Sequence, residues 1–197
     1  MIHTNKQNTW TNKASSHPGG SELTERMLLK AEQGGWLHKR DYILDIGCGG
    51  GATVSLMRQR GYLAAGIDTD ADRPDLFRGD AGALPWPAYY FDGIIAECTM
   101  SVIRPVRALP EISRVLKPSG LLLLSDIYEM GNRPVWPEEF HFQVLYLENA
   151  TPLLRSYISA LIWETGRPCP PCYYEGRKVP LDRLGYYWAI LRLTEGG

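Results

Sequence analysis

With 197 residues, 44% of them hydrophobic, the chain can build one well-formed core and hardly two, so a single domain over residues 1–197 is expected. Its 21 basic and 22 acidic side chains nearly cancel, which excludes an electrostatic footprint for nucleic acid or an anionic membrane and favours a small or neutral ligand. No apolar run approaches the roughly 20 residues of a membrane span, and Met1 to Asn8 lacks the apolar core of a secretory signal, so a cytoplasmic protein is expected.

Residues 1–16 are polar and without apolar periodicity, and read as a flexible arm that could fold over a site as a lid. His17-Pro18-Gly19-Gly20 reads as a turn, and Ser21 as the cap of a helix on which Leu23, Met27 and Ala31 recur at helical spacing before Gly34-Gly35 ends it. A strand is predicted over Tyr42 to Ile46, a glycine turn after it, a helix over Ala52 to Arg60 and a strand over Leu63 to Asp68. Further strands are predicted over Leu76 to Arg78, Gly93 to Glu97 and Leu121 to Asp126, with a helix near Arg107 to Leu116 whose main part begins at Pro110 after Ala108-Leu109, because a proline belongs in a first helical turn.

This alternation predicts an α/β fold, a doubly wound, mostly parallel sheet whose ligand loops lie at the strand C-termini. Only nine residues separate Asp70 from Asp80, and they include Arg73-Pro74, so the second helix is expected to be shortened to about one turn. Beyond residue 128, Trp136 to Trp163 reads as two helices broken at Thr151-Pro152, a helical cap within residues 129–183. Residues 184–193 read as the final strand, and with no separate sixth strand legible a truncated sheet is expected.

The run Leu44-Asp45-Ile46-Gly47-Cys48-Gly49-Gly50-Gly51 carries the strongest chemical signal. Glycine at 47 and 49 frees the backbone to bring main-chain N–H groups against a ligand, and the next helix adds its unpaired amides. Gly47-x-Gly49-x-x-Ala52 also satisfies a dinucleotide fingerprint. Asp45 argues against a diphosphate there, because its carboxylate would repel that charge and would instead attract a cationic ligand.

This run resembles motif I of the class I S-adenosylmethionine-dependent methyltransferases, in particular their small-molecule, type 11-like members. Gly66-Ile67-Asp68 is similar to the second motif, Gly79 to Trp86 to the third, Tyr90 to Ile95 to the fourth strand, and Glu111 to Leu124 to the following helix, turn and fifth strand. The resemblance covers residues 17–128, the cofactor core. It implies that Asp45, Gly47, Cys48, Gly49 and Gly51 surround the methionine moiety of S-adenosyl-L-methionine, that Asp68, with Thr69 beside it, binds the ribose hydroxyls, and that Asp80 and Ala81 meet the adenine. His17 to Gly20 resembles a segment that small-molecule members place near the cofactor's carboxylate, which makes Gly20 a candidate contact.

Glu97 ends a predicted strand at the methyl-transfer face, where it could bind the cofactor's ammonium, orient a nucleophile or take its proton; a satisfied buried acid is the competing reading. Ser101, Asp126 and Tyr128 are further candidates at the same mouth. His141 reads as a core or interface histidine. Cys169-Pro170-Pro171-Cys172 has redox or metal spacing, but no second pair completes a zinc site, so a loop is expected and no metal. The expected function is methyl transfer from S-adenosylmethionine to a small-molecule or carrier-bound acceptor, without nucleic acid or membrane. The alternatives are an NAD(P)-dependent oxidoreductase using the same glycines with Asp68, and a degenerate cofactor-binding scaffold.

Overall fold

The computed structural model describes residues 17–103, 105–131, 141–166, 172–174 and 177–194. In chain order the elements are α1 (Gly20–Gln33), β1 (Tyr42–Ile46), α2 (Ala52–Gln59), β2 (Leu63–Asp68), β3 (Phe77–Arg78), β4 (Phe91–Glu97), α3 (Pro105–Val115), β5 (Leu116–Glu129), β6 (Phe142–Asn149), α4 (Thr151–Thr165), β7 (Cys172–Tyr174), β8 (Arg177–Val179) and β9 (Leu184–Leu193). Among the described residues seven strands form one sheet in the order β3-β2-β1-β4-β5-β9-β6, and β7 and β8 form a separate hairpin. Strands β1 to β5 pair in parallel, while β9 runs antiparallel between β5 and β6.

The central strands are apolar on both sides because helices cover both faces. Leu23 and Met27 of α1, Val54 and Met57 of α2, and Leu154 and Ile158 of α4 pack with Ile43, Ile95 and Leu123 on one face. On the other, Leu109 and Ile112 of α3 join Leu84, Trp86, Leu44, Ile94 and Leu122. The chain order reverses between β1 and β4, and at such a switch point the loops diverge and leave a crevice beyond the strand ends. Register brings three acids to that edge: Asp45 pairs with Gly66 and Ile95, so Asp68 and Glu97 each stand two residues further along their strands.

Several elements differ from the sequence reading. The segment 142–149, predicted as helix, is strand β6 on the outer edge of the sheet, where Phe142, Val144 and Tyr146 suit a pleated surface and pairing with β9 overrides the helical spacing. The sheet is therefore complete rather than truncated. The break at Thr151-Pro152 is real, and α4 that follows it is one helix that lays Leu154 and Ile158 into the core beside α1.

Helix α1 is capped by Gly19 in a left-handed conformation (φ 83°), and Ser21 is an exposed first-turn residue. Helix α3 starts at Pro105 and runs through Pro110. Pro110 removes one intrahelical hydrogen bond, to the Val106 carbonyl, which the buried face Ala108, Leu109, Ile112 and Val115 outweighs. Between β2 and β3 the chain makes turns and bends, with no helix. His141 is exposed at φ 58°, and its carbonyl accepts from both the amide and the hydroxyl of Thr194 at 2.7 Å, so it is not a core histidine. Residues 1–16, Phe140, Cys169 and the side chain of Cys172 lie outside the described residues.

Candidate active site

The glycine turn is pinned to β2 by its own backbone. The amides of Gly47 and Cys48 both donate to the Ile67 carbonyl, at 2.8 and 3.2 Å, and the Gly49 amide donates to Asp68 Oδ2 at 3.0 Å. Gly47, Gly49 and Gly51 have φ of 77°, 48° and 77°, a region that side chains disfavour. At Gly47 a Cβ would overlap Thr99, so glycine is needed for packing. At Gly49 a Cβ would meet no protein atom, so that glycine leaves open space beside the strand ends.

Asp45 is buried, and its Oδ2 has no hydrogen-bond partner among the described residues. Burial pushes its carboxyl well above the usual range, and the negative charges of Glu97 and Asp68 push it further. A buried carboxyl facing two others is a costly arrangement that a cation relieves and a diphosphate worsens. Burial, with the negative charges of Asp45 and Asp68, lifts the Cys48 thiol to about 12, so it stays protonated and is no nucleophile.

Asp68 is half-buried; besides the Gly49 amide it accepts from Asp70 N, through Oδ1, at 2.9 Å. Each oxygen keeps a second lone pair, which suits a pair of hydroxyls. Thr69 follows it, exposed, its carbonyl accepting from Arg78 Nε at 3.1 Å. Asp80 is exposed in a turn, with Oδ1 accepting from Gly82 N at 2.7 Å, while Ala81 is buried beside it.

Glu97 is the acceptor for three segments. Thr24 Oγ1 of α1 lies 3.0 Å from both of its oxygens, Thr53 Oγ1 of α2 donates to Oε2 at 3.1 Å, and His17 Nε2 stands 3.4 Å from Oε2. Burial raises its carboxyl, and His17, Thr24 and Thr53 oppose that rise. Gly20 joins this group through the backbone, its carbonyl 3.4 Å from Thr24 Oγ1.

The other mouth candidates have structural partners. Asp126 accepts from Ser101 N at 2.8 Å and Ile127 N at 2.7 Å, and burial lifts it to about 6. Tyr128 occupies the space that any side chain at Gly185 would need.

Sequence reasoning found the acids and glycines and missed Thr24, Thr53 and Thr99, whose hydroxyls hold the acids' strand ends in place. Thr53, in the first turn of the helix after the glycines, was the one with a positional signal. Among the described residues no group of three or more His, Cys, Asp or Glu side chains is placed to hold a metal, and no helix is long and apolar enough to cross a membrane.

The methyltransferase domain family matches residues 44–124, which run from β1 to the middle of β5 and contain the whole acid-lined edge. The chain is 30% identical over 166 residues to the uncharacterized methyltransferase YodH of Bacillus subtilis, covering 73% of this chain and 69% of that one. It spans 54% and 65% of the length of two further curated relatives. In fold it is similar to phosphoethanolamine N-methyltransferase 2 of Haemonchus contortus in complex with S-adenosyl-L-methionine (TM-score 0.65, 14% identity, 91% of this chain and 54% of that chain). It is likewise similar to the [4+2]-cyclase SpnF (TM-score 0.63, 21% identity, 94% of this chain and 86% of that chain). The ordered motifs, the strand order around one antiparallel strand and the match to YodH agree, and the chain belongs to the class I S-adenosylmethionine-dependent methyltransferase family.

Proposed function

We propose that the chain binds S-adenosylmethionine over the glycine turn and methylates a small-molecule or carrier-bound acceptor in the cytoplasm. The observation that carries this reading is the buried Oδ2 of Asp45, without a hydrogen-bond partner among the described residues, with Glu97 and Asp68 around it. The residues fit a cationic adenosyl ligand. Asp45 would face its positive charge, Asp68 would accept from the ribose hydroxyls, and the open space at Gly49 would admit the backbone's close approach. When bound, S-adenosylmethionine supplies an intrinsically activated methyl group on a sulfonium.

What is left to the protein is alignment of the acceptor and exclusion of water, which needs no catalytic triad. Glu97 has its oxygens occupied by Thr24, Thr53 and His17, so we read it as holding α1 and α2 in position rather than as a free base. The oxidoreductase reading is disfavoured because three acids would surround a nicotinamide cofactor's diphosphate.

A scaffold that holds the cofactor without methyl transfer is the second reading, supported by the shared fold of a protein named as a [4+2]-cyclase. Calorimetric titration with S-adenosylmethionine, S-adenosylhomocysteine and NAD tests the assignment. Binding of the first two and not the third is expected, and binding of NAD alone would overturn it. Release of S-adenosylhomocysteine in the presence of an acceptor then separates the enzyme from the scaffold.

A further inference from the structure

The link between β2 and β3 is the weak point of the wall beside the glycine turn. Strands β1 and β2 are joined through α2, and β4 and β5 through α3, but residues 69–76 cross from β2 to β3 with turns alone. Parallel neighbours usually need a dozen or more residues and a helix to make that crossing. In place of a helix, two arginines, Arg73 of the link and Arg78 of β3, reach backbone carbonyls. Arg78 closes it at Thr69, and Arg73 Nη1 reaches back across to the carbonyl of Gly50 at 2.9 Å.

Arg73 is itself held in a fork. Its Nε and Nη2 donate to Asp75 Oδ1 and Oδ2 at 3.0 and 2.9 Å, and Asp75 Oδ2 also takes Arg58 Nη1 of α2 at 2.7 Å. Arg58 is anchored in turn on the Ala64 carbonyl of β2 at 2.9 and 3.1 Å. A side chain at Gly51 would press on Leu76 and on Arg73 Nη1, so the link lies directly against the turn. The result is a continuous brace from β2 through α2 and the link to the Gly50 carbonyl of the glycine turn.

We propose that Arg73, clamped by Asp75 and Arg58, is a positioning residue that fixes the Gly50 carbonyl and thereby sets the crest of the glycine turn for its ligand. This rests on the reading that the crest receives an adenosyl cofactor. All three side chains are exposed, and exposed ion pairs contribute little to folding. A role confined to stability would therefore be small, whereas a role in aiming the turn is read in affinity. Exposure also makes the brace sensitive to salt.

The test is calorimetric titration of the full chain with S-adenosylhomocysteine, together with thermal unfolding and amide exchange at Gly51. Arg73→Ala should lower affinity about tenfold, the loss of one charge-assisted hydrogen bond, with little change in the unfolding midpoint. Arg73→Lys should recover part of that loss, because an ammonium reaches one carbonyl but cannot hold the fork. Asp75→Asn should weaken binding in the same direction, and Arg73→Ala with Asp75→Asn should be no worse than Arg73→Ala alone.

Raising salt from about 50 to about 500 mM should weaken the parent more than Arg73→Ala. Parent-like affinity in both single variants, or strictly additive losses in the double variant, would overturn the proposal. If Arg73→Ala did not fold, Asp75→Asn alone would decide it by the same measurements. A parent that binds no S-adenosylhomocysteine would sink the cofactor assignment instead, and faster Gly51 exchange in Arg73→Ala would still establish the brace, as unchanged exchange would refute it.

Discussion

Thr53 Oγ1 donates to Glu97 Oε2 at 3.1 Å, joining the first turn of α2 to the end of β4. The same oxygen receives Thr24 of α1 at 3.0 Å and faces His17 at 3.4 Å, so the two helices that flank the glycine turn and the segment before α1 meet on one carboxylate. The junction ties α1 and α2 to the end of β4.

Replacement of Glu97 by Gln should therefore cost stability. An amide offers one acceptor oxygen where the carboxylate offers two, and its NH2 would point at hydroxyls that need acceptors. A loss of about 1–3 kcal/mol in chemical denaturation is expected. Had Glu97 served as a free proton acceptor, Glu97→Gln would keep its stability and lose only turnover, and that outcome would contradict the junction.

Asp45→Asn should change how stability depends on pH. The folded-state carboxyl is raised well above its ordinary value of 3.8, so the unfolded chain releases this proton first as pH climbs. Stability contributed by the protonated folded form is complete below that ordinary value and is lost as pH rises through the raised one. Asparagine removes this part of the slope while Glu97, raised in the same direction, keeps its own. Thermal unfolding from pH 4 to 8 should fall less steeply in the variant, and S-adenosylmethionine should bind it more weakly because the buried counter-charge is gone. A pH profile as steep as the parent's would contradict the buried position of Asp45.

On the proposed reading, Asp68→Ala should weaken S-adenosylhomocysteine binding by about 1.5–3 kcal/mol, since the acceptors proposed for the ribose and the bond to the Gly49 amide go together. Folding should be affected far less, as Asp68 is half-buried at a strand end. Equal calorimetric affinity in variant and parent would remove the ribose assignment.

The sheet's first half was legible because β1, β2 and β4 are buried apolar runs that end in acids or glycines, a pattern with one dominant physical solution. The stretch 142–149 was not, because Val144, Leu145 and Leu147 fit helical spacing as well as strand alternation, and only the antiparallel partner β9, some forty residues later, decides between them. Pro110 misled for a related reason: its own preference for a first turn was overridden by the apolar face of α3 and by Pro105. In the site the acids stood out as charges in apolar runs. Thr24, Thr53 and Arg73 did not, since their roles lie in contacts with Glu97 and Gly50 that are distant in the chain.

Two glycines of one turn should respond to alanine in opposite ways. At Gly47 the added Cβ would overlap Thr99, whose hydroxyl is held by the carbonyls of Ile46 and Glu97 at 3.1 and 3.0 Å and cannot swing aside without losing both. With the left-handed φ of 77° added, Gly47→Ala should destabilise the fold by about 2–5 kcal/mol. At Gly49 the Cβ meets no protein atom, so Gly49→Ala should cost only about 1–2 kcal/mol of backbone strain and remain folded. Its methyl group would stand in the open space proposed for the cofactor, and S-adenosylhomocysteine binding should be lost or strongly reduced. Thermal unfolding and calorimetry on the two variants check the pair of expectations together. If Gly49→Ala binds like the parent, the open space beside that glycine is not where the ligand lies, and the cofactor would have to be sought away from the glycine turn.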